Sequence, residues 1–220
     1  MTLNTDKNSL PEVIDNSWRE FLGFHDGSLL LSKRNAASKI VVGVPHHGPR
    51  SYSRMLCDRS ADENAGYIGC YLAEILPASL IVANRYFFDP NKSESSDYFK
   101  FIKAGLPNLL IEIHGHGARN AVYDIEISSG PEDEDYAKAF SQSLSHKMKK
   151  SPDLKKFSIS GNYNKIYFTA QYSCTVTDSR WHTLHIELPP ALRKQPDSPY
   201  PPAAGFHLMD MIAELINSQE

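Results

Sequence analysis

Three short apolar, β-branched runs in this chain each break off into polar residues. Ile40-Val41-Val42-Gly43-Val44 runs into Pro45-His46-His47-Gly48. Leu109-Leu110-Ile111 leads to Ile113-His114-Gly115-His116-Gly117, and Thr183-Leu184-His185 leads to Ile186-Glu187. Unbroken apolar runs of this length read as strands buried on both faces. Strands are predicted over 29–31, 39–44, 80–83, 108–113 and 182–188, with further candidates at 123–127 (an edge strand), 157–160 and 167–170. Between them the apolar residues recur at helical spacing. A helix is predicted over 63–76, capped by Ser60 or Asp62, carrying Ile68, Tyr71, Leu72 and Ile75 on one face and ended by Pro77. Others are expected over 97–104, ended by Gly105, over 131–150, and over 206–216 after the proline-rich loop 196–202. Residues 1–20 read as a loose, partly helical lead-in. Strands alternating with helices predict an α/β fold over 1–220: one domain with a central mixed, mostly parallel sheet flanked by helices.

Polar residues at the ends of buried strands collect at one edge of such a sheet, where open α/β folds build their sites. Two imidazole groups and carboxylates meeting there point to a metal hydrolase, because catalytic zinc takes three nitrogen or oxygen ligands and leaves one position open. The histidine ligands come from His46 or His47 and from His114 or His116. The carboxylate comes from Asp62 or Glu63, at the predicted helix start after the first histidine loop. Glu187 sits between two apolar neighbours, where an ionised carboxylate is costly unless paired. In a partly dry pocket it suits a general base; its structural alternative is an ion pair with Arg193. His182 and His185 alternate on the same strand, so one faces solvent and the other the core. Arg85, after the 80–83 strand, is a candidate catalytic residue that stabilises the oxyanion and a candidate clamp for a substrate carboxylate, with Asn91 or Lys92 assisting and Arg50 and Arg119 as weaker candidates; pairing with Asp89 is the structural alternative.

Composition narrows the classes. A net charge of −3 gives no general attraction to nucleic acid or to an anionic membrane. No apolar run approaches the roughly 20 residues that span a bilayer. The polar segment 1–16 has no apolar core of a secretory signal, and Cys57, Cys70 and Cys174 are odd in number and scattered, so a reduced, cytoplasmic setting is expected. There is no CxxC pair for a thiolate metal site. Neither a GxSxG elbow nor a cysteine in nucleophile context is present.

Read in order, these pieces resemble the N-formylglutamate amidohydrolase family, related in fold to zinc carboxypeptidases. Val44-Pro45-His46-His47-Gly48 resembles its strand–Pro-His–small–Gly element, and Ala61-Asp62-Glu63-Asn64 its acidic segment. Asn84-Arg85-Tyr86-Phe87-Phe88-Asp89-Pro90-Asn91-Lys92 resembles SRY-x-x-DLNR. Ile111-Glu112-Ile113-His114-Gly115 resembles the strand ending in His-Ser, with Asp124 at a similar distance beyond it. Thr183-Leu184-His185-Ile186-Glu187-Leu188 resembles the late strand whose Glu is the general base of the carboxypeptidases. The resemblance implies one Zn2+ per chain held by His46, Asp62 or Glu63, and His114. It implies Glu187 as base, and Arg85 with Asn91 on the carboxylate of a small amide such as N-formylglutamate. The chain departs from the pattern at Lys92, Pro90 and Gly115, where the family has Arg, Leu and Ser.

Overall fold

The computed structural model describes residues 10–14, 16–51, 54–56 and 60–218. Eight strands form one mixed sheet: β1 Leu29–Lys33, β2 Ile40–Gly48, β3 Asp62–Glu63, β4 Ser79–Asn84, β5 Leu109–Gly115, β6 Ile125–Ser128, β7 Ile159–Ser160 and β8 His182–Leu188. The order is β1-β4-β2-β5-β8-β6-β7, with β3 pairing the end of β2. The central β4, β2, β5 and β8 are parallel, while β1 and β6 run antiparallel to their neighbours β4 and β8. The helices are α1 Asn16–Phe21, α2 Ala65–Ile75, α3 Asp97–Gly105, α4 Glu134–Met148, α5 Pro190–Arg193 and α6 Ala203–Asn217. Among the described residues, no helix is long and apolar enough to cross a membrane.

Side chains alternate across the sheet, so each strand feeds two layers. Val42, Val44, Leu80, Val82, Ile111, Ile113, Leu184 and Ile186 pack in the larger core with Ile68 and Leu72 of α2, Phe140 and Leu144 of α4, and Ile212 of α6. Val41, Ile81, Ala83 and Leu110 face the other way and pack with Tyr98, Phe99 and Ile102 of α3 and with Trp181. On this second face the apolar layer stops partway along the strands. Glu112 and His114 follow Leu110, and they lie in register with His185 and Glu187 of β8; Glu126 and Ser128 of β6 continue the rows. Gly43 leaves the space that Tyr98 needs beside this polar patch: a Cβ there would lie 2.2 Å from the Tyr98 hydroxyl oxygen, which donates to Glu112.

The structure differs from the sequence reading at four places. Asp62 and Glu63 are extended and do not begin the helix; they pair with His47 and Gly48, and α2 starts after Asn64, which is left-handed at φ 65°. β6 is interior, because the two-residue β7 pairs outside it. Residues 167–170 form no strand, since the Tyr167 and Phe168 N–H groups are taken by the Glu126 carboxylate. Within the expected loose lead-in, Leu10, Ile14 and Trp18, followed by Leu22, are buried in the main core; residues 1–9 lie outside the described part.

β2 gains one residue relative to β4. Val44 pairs with Val82 but His47 pairs with Asn84, three residues against two. A bulge of this kind re-aims side chains. It returns His47 to the helix side and sends His46 to the polar face. His47 is fully buried; its Nε2 donates to Leu22 O at 2.9 Å and its Nδ1 accepts the Gly66 N–H at 3.0 Å. The Gly66 N–H requires the neutral ring, because a protonated Nδ1 cannot accept it. Burial lowers its pKa from 6.5 to about 4, against the pull of the Leu22 carbonyl and Asp62. Between those values the unfolded chain binds the proton and the folded one does not. The stabilisation is therefore complete above pH 6.5 and is lost as pH falls toward 4. Thermal unfolding of His47→Gln, which cannot titrate, should be flatter across this window than that of the wild type by about 3 kcal/mol; an equal slope would remove His47 as the cause.

Candidate metal centre

Three side chains from three strands point at one spot. His46 comes from the bulge of β2, Asp62 from β3 and His114 from the end of β5; all are buried. Asp62 Oδ2 lies 3.4 Å from His46 Nδ1 and 3.5 Å from His114 Nδ1. The two rings stand edge to face at 5.0 Å. Neither His46 Nδ1 nor Asp62 Oδ2 makes a hydrogen bond, although buried polar atoms rarely go without one. Ligands at 2.0–2.1 Å from a tetrahedral ion are about 3.4 Å apart. The spacing, the donor types and the two orphaned atoms therefore all fit a divalent metal of the zinc type.

Each histidine is held from behind. His46 Nε2 meets Asp89 Oδ1 at 2.8 Å, and His114 Nε2 meets Glu112 Oε2 at 3.3 Å. Such outer carboxylates fix the tautomer and aim of metal-binding imidazoles. Glu112 is itself fixed: its Oε1 accepts from Tyr98 at 3.0 Å and from Thr175 at 2.8 Å. Burial and the Glu112 charge push the Tyr98 hydroxyl far above its ordinary range. Burial would also raise the Asp62 carboxyl, but the pull of His114 and His46 outweighs it and holds Asp62 well below the usual carboxylate range. Burial disfavours charge on His114, yet Asp62, Glu112 and Glu187 hold its imidazole up at about 10. The pocket is thus built to hold positive charge.

Glu187 stands next to this cluster on β8, in register with His114. His114, His185 and Glu187 form a second convergent group, with ligand atoms within 4.8 Å of one another. His185 Nε2 is 3.6 Å from Glu187 Oε1, and its ring is 4.3 Å from that of His114. His185 is the buried member of its strand pair and His182 the exposed one.

The other candidates lie elsewhere. Glu63 points away from the cluster, pairing with Lys194 and accepting from Ser51 N at 2.9 Å. His116 is tied within its own loop, to Asp124 O through Nε2 and to Ala118 N–H through Nδ1. Arg85 donates to His25 O and lies 4.7 Å over the Phe24 ring; Arg50 donates to the Ser198 and Pro196 carbonyls. Lys92 sits 3.6 Å from Asp89. Asn91 is buried on the same turn with its Oδ1 lacking a hydrogen bond, and its carbonyl accepts from Ser173 and Cys174. Arg193 donates to backbone carbonyls.

Sequence reasoning missed Asp89 and Glu112 as holders of the histidines, and Glu126 as an organiser of the rim. Glu112 interrupts an apolar strand with an acid, which was the available signal. Glu126 accepts four backbone N–H groups, from Val122, Tyr123, Tyr167 and Phe168, and so ties together the loops after β5 and before β8.

No family model matches the sequence, and no curated protein matches it. Solved structures do match in fold. A bacteriophage poly-γ-glutamate hydrolase superposes with a TM-score of 0.58 at 10% identity, covering 91% of this chain and 94% of that one. N-formylglutamate amidohydrolase from Ralstonia eutropha JMP134 gives 0.52 at 10% identity, covering 86% and 94%. A metallo-carboxypeptidase from Pseudomonas aeruginosa matches more loosely, at 0.43 and 15% identity over 87% and 61%, too loosely to bear on the chemistry. The chain has the α/β fold of the first two.

Proposed function

We propose that this protein is a zinc-dependent amidohydrolase that cleaves the amide of an N-acyl amino acid. The observation that carries the reading is the meeting of His46 Nδ1, Asp62 Oδ2 and His114 Nδ1 at ligand spacing, with Glu187 in the adjacent register position. The names of the two proteins that share the fold, an amidohydrolase and a poly-γ-glutamate hydrolase, agree with it.

In this reading His46, Asp62 and His114 hold one Zn2+, while Asp89 and Glu112 keep the two rings aimed. The ion, when bound, supplies Lewis-acid chemistry: it acidifies water and polarises a carbonyl. Glu187 takes the proton from the attacking water and returns it to the leaving nitrogen. Its place on a rigid parallel strand keeps that carboxylate at a fixed distance from His114. On the substrate side, Asn91 and Lys92 offer an amide and a cation beside Asp89, and they are the groups that meet a substrate carboxylate. Arg85 and Arg50 join them only by releasing the carbonyls they now hold. That commitment of both arginines favours a second reading, a peptide-like amide held without a bidentate carboxylate clamp.

A panel of N-formylglutamate, other N-acyl amino acids, short peptides and a γ-glutamyl polymer separates these substrates. Glu187→Gln should retain zinc at wild-type stoichiometry and lose about 10²–10⁴-fold in kcat; undiminished turnover would remove Glu187 from the mechanism. Glu112→Gln should weaken zinc affinity by about 10–100-fold, read by competition with a chelator; unchanged affinity would show that Glu112 does not support His114. Wild-type protein that takes up no metal would make the fold a non-catalytic binding member.

A further inference from the structure

One guanidinium touches three of the four segments that carry the cluster and its neighbouring base, those of Asp62, His114 and Glu187. Arg193, at the end of α5, is almost fully buried. Its Nη1 donates to Glu63 O at 2.7 Å, its Nη2 to His116 O at 3.0 Å and its Nε to Leu188 O at 3.2 Å. Glu63 follows Asp62 directly, Leu188 follows Glu187 directly, and His116 lies two residues beyond His114. The Asn64 side chain in turn holds the Arg193 carbonyl at 3.0 Å. The fit is close: a Cβ on Gly115 would lie 2.1 Å from Arg193 Cζ and 2.3 Å from Nε. Gly115 is therefore the opening through which the guanidinium reaches three strand ends that no single backbone ladder joins. Burial presses the Arg193 pKa down, and the charges of Asp62, Glu187 and Glu63 pull it back up, so Asp62 and Glu187 also help keep the cation in place.

We infer that Arg193 is a positioning residue that holds Asp62 in place relative to the paired strand ends carrying His114 and Glu187, with Gly115 as the space it requires. This rests on the metal-hydrolase reading above. A guanidinium suits the task because its planar fork presents donors in fixed directions. Lysine, with one mobile ammonium, cannot bridge three carbonyls in the same plane. Glycine at 115 is then part of the centre, and the serine of the resembling family is excluded here by the guanidinium.

The test uses Co2+ and Zn2+ alone as probes of the full-length chain, so no substrate need be known. Arg193→Met removes the fork, Arg193→Lys keeps only charge, and Gly115→Ala displaces a guanidinium that is still present. Tyr71→Phe, which loses the 2.6 Å hydrogen bond to Asp210 between α2 and α6, serves as a control for ordinary loss of stability. Arg193→Met and Gly115→Ala should bind either ion about tenfold or more weakly and show altered visible bands of bound Co2+. Arg193→Lys should fall between these and the wild type, and Tyr71→Phe should match the wild type in affinity and spectrum while melting lower. Lower melting temperatures with wild-type metal affinity and spectra in both Arg193→Met and Gly115→Ala would overturn the inference and leave the metal reading standing. A wild type that binds neither ion would overturn both. Should neither variant fold, hydrogen exchange of the wild type decides: Zn2+ should slow exchange at the Asn64, His116 and Lys194 amides together, and slowing at one of them alone would overturn the proposal.

Discussion

Buried negative charge is the constraint around which this structure is arranged. Asp62, Glu63, Glu112, Glu126 and Glu187 are all buried, while Arg193 is the only buried lysine or arginine among the described residues. An isolated carboxylate in the interior is costly, so each needs its own answer. Glu63 takes Lys194, Glu126 takes four backbone N–H groups, and Glu112 takes two hydroxyls and an imidazole. Asp62 faces two imidazole nitrogens, one of which belongs to a ring whose own pKa is driven upward by the surrounding acids. The protein interior at this point asks for a cation, and it offers that cation nitrogen and oxygen ligands at the spacing zinc takes.

The sheet supplies the geometry. Parallel strands end side by side, so residues of distant sequence arrive in one row: Glu112 beside His185, and His114 beside Glu187. The same face is apolar toward the start of the strands and polar toward their ends, which separates a packed layer under α3 from the cluster. A single extra residue in β2 then decides which of two adjacent histidines enters the row. Without it His46 would lie on the helix side with Val42 and Val44, because strand side chains alternate.

Much of this was written in local pattern. The buried runs, their polar ends and the alternation with helices gave the α/β sheet and brought His46, His114 and Glu187 forward as candidates. What local pattern could not show was direction. His46 and His47 share one sequence context and are separated only by the bulge. Asp62 and Glu63 read as a helix start, yet pairing with the end of β2 makes them extended, so they project to opposite sides and only Asp62 meets the histidines. Nothing in the sequence around Arg85 showed that Phe24 and His25 would fold back onto it. Two signals were legible and passed over: the acid Glu112 inside an apolar strand, and the four-residue spacing of Leu10, Ile14, Trp18 and Leu22, which packs the lead-in into the core.

Three ligands define one metal position, and anomalous diffraction from crystals grown with zinc, recorded at the zinc absorption edge, locates that position. One strong peak per chain is expected, within bonding distance of His46 Nδ1, Asp62 Oδ2 and His114 Nδ1. A peak seated instead between His114, His185 and Glu187, or no peak with ordered side chains around it, would contradict it.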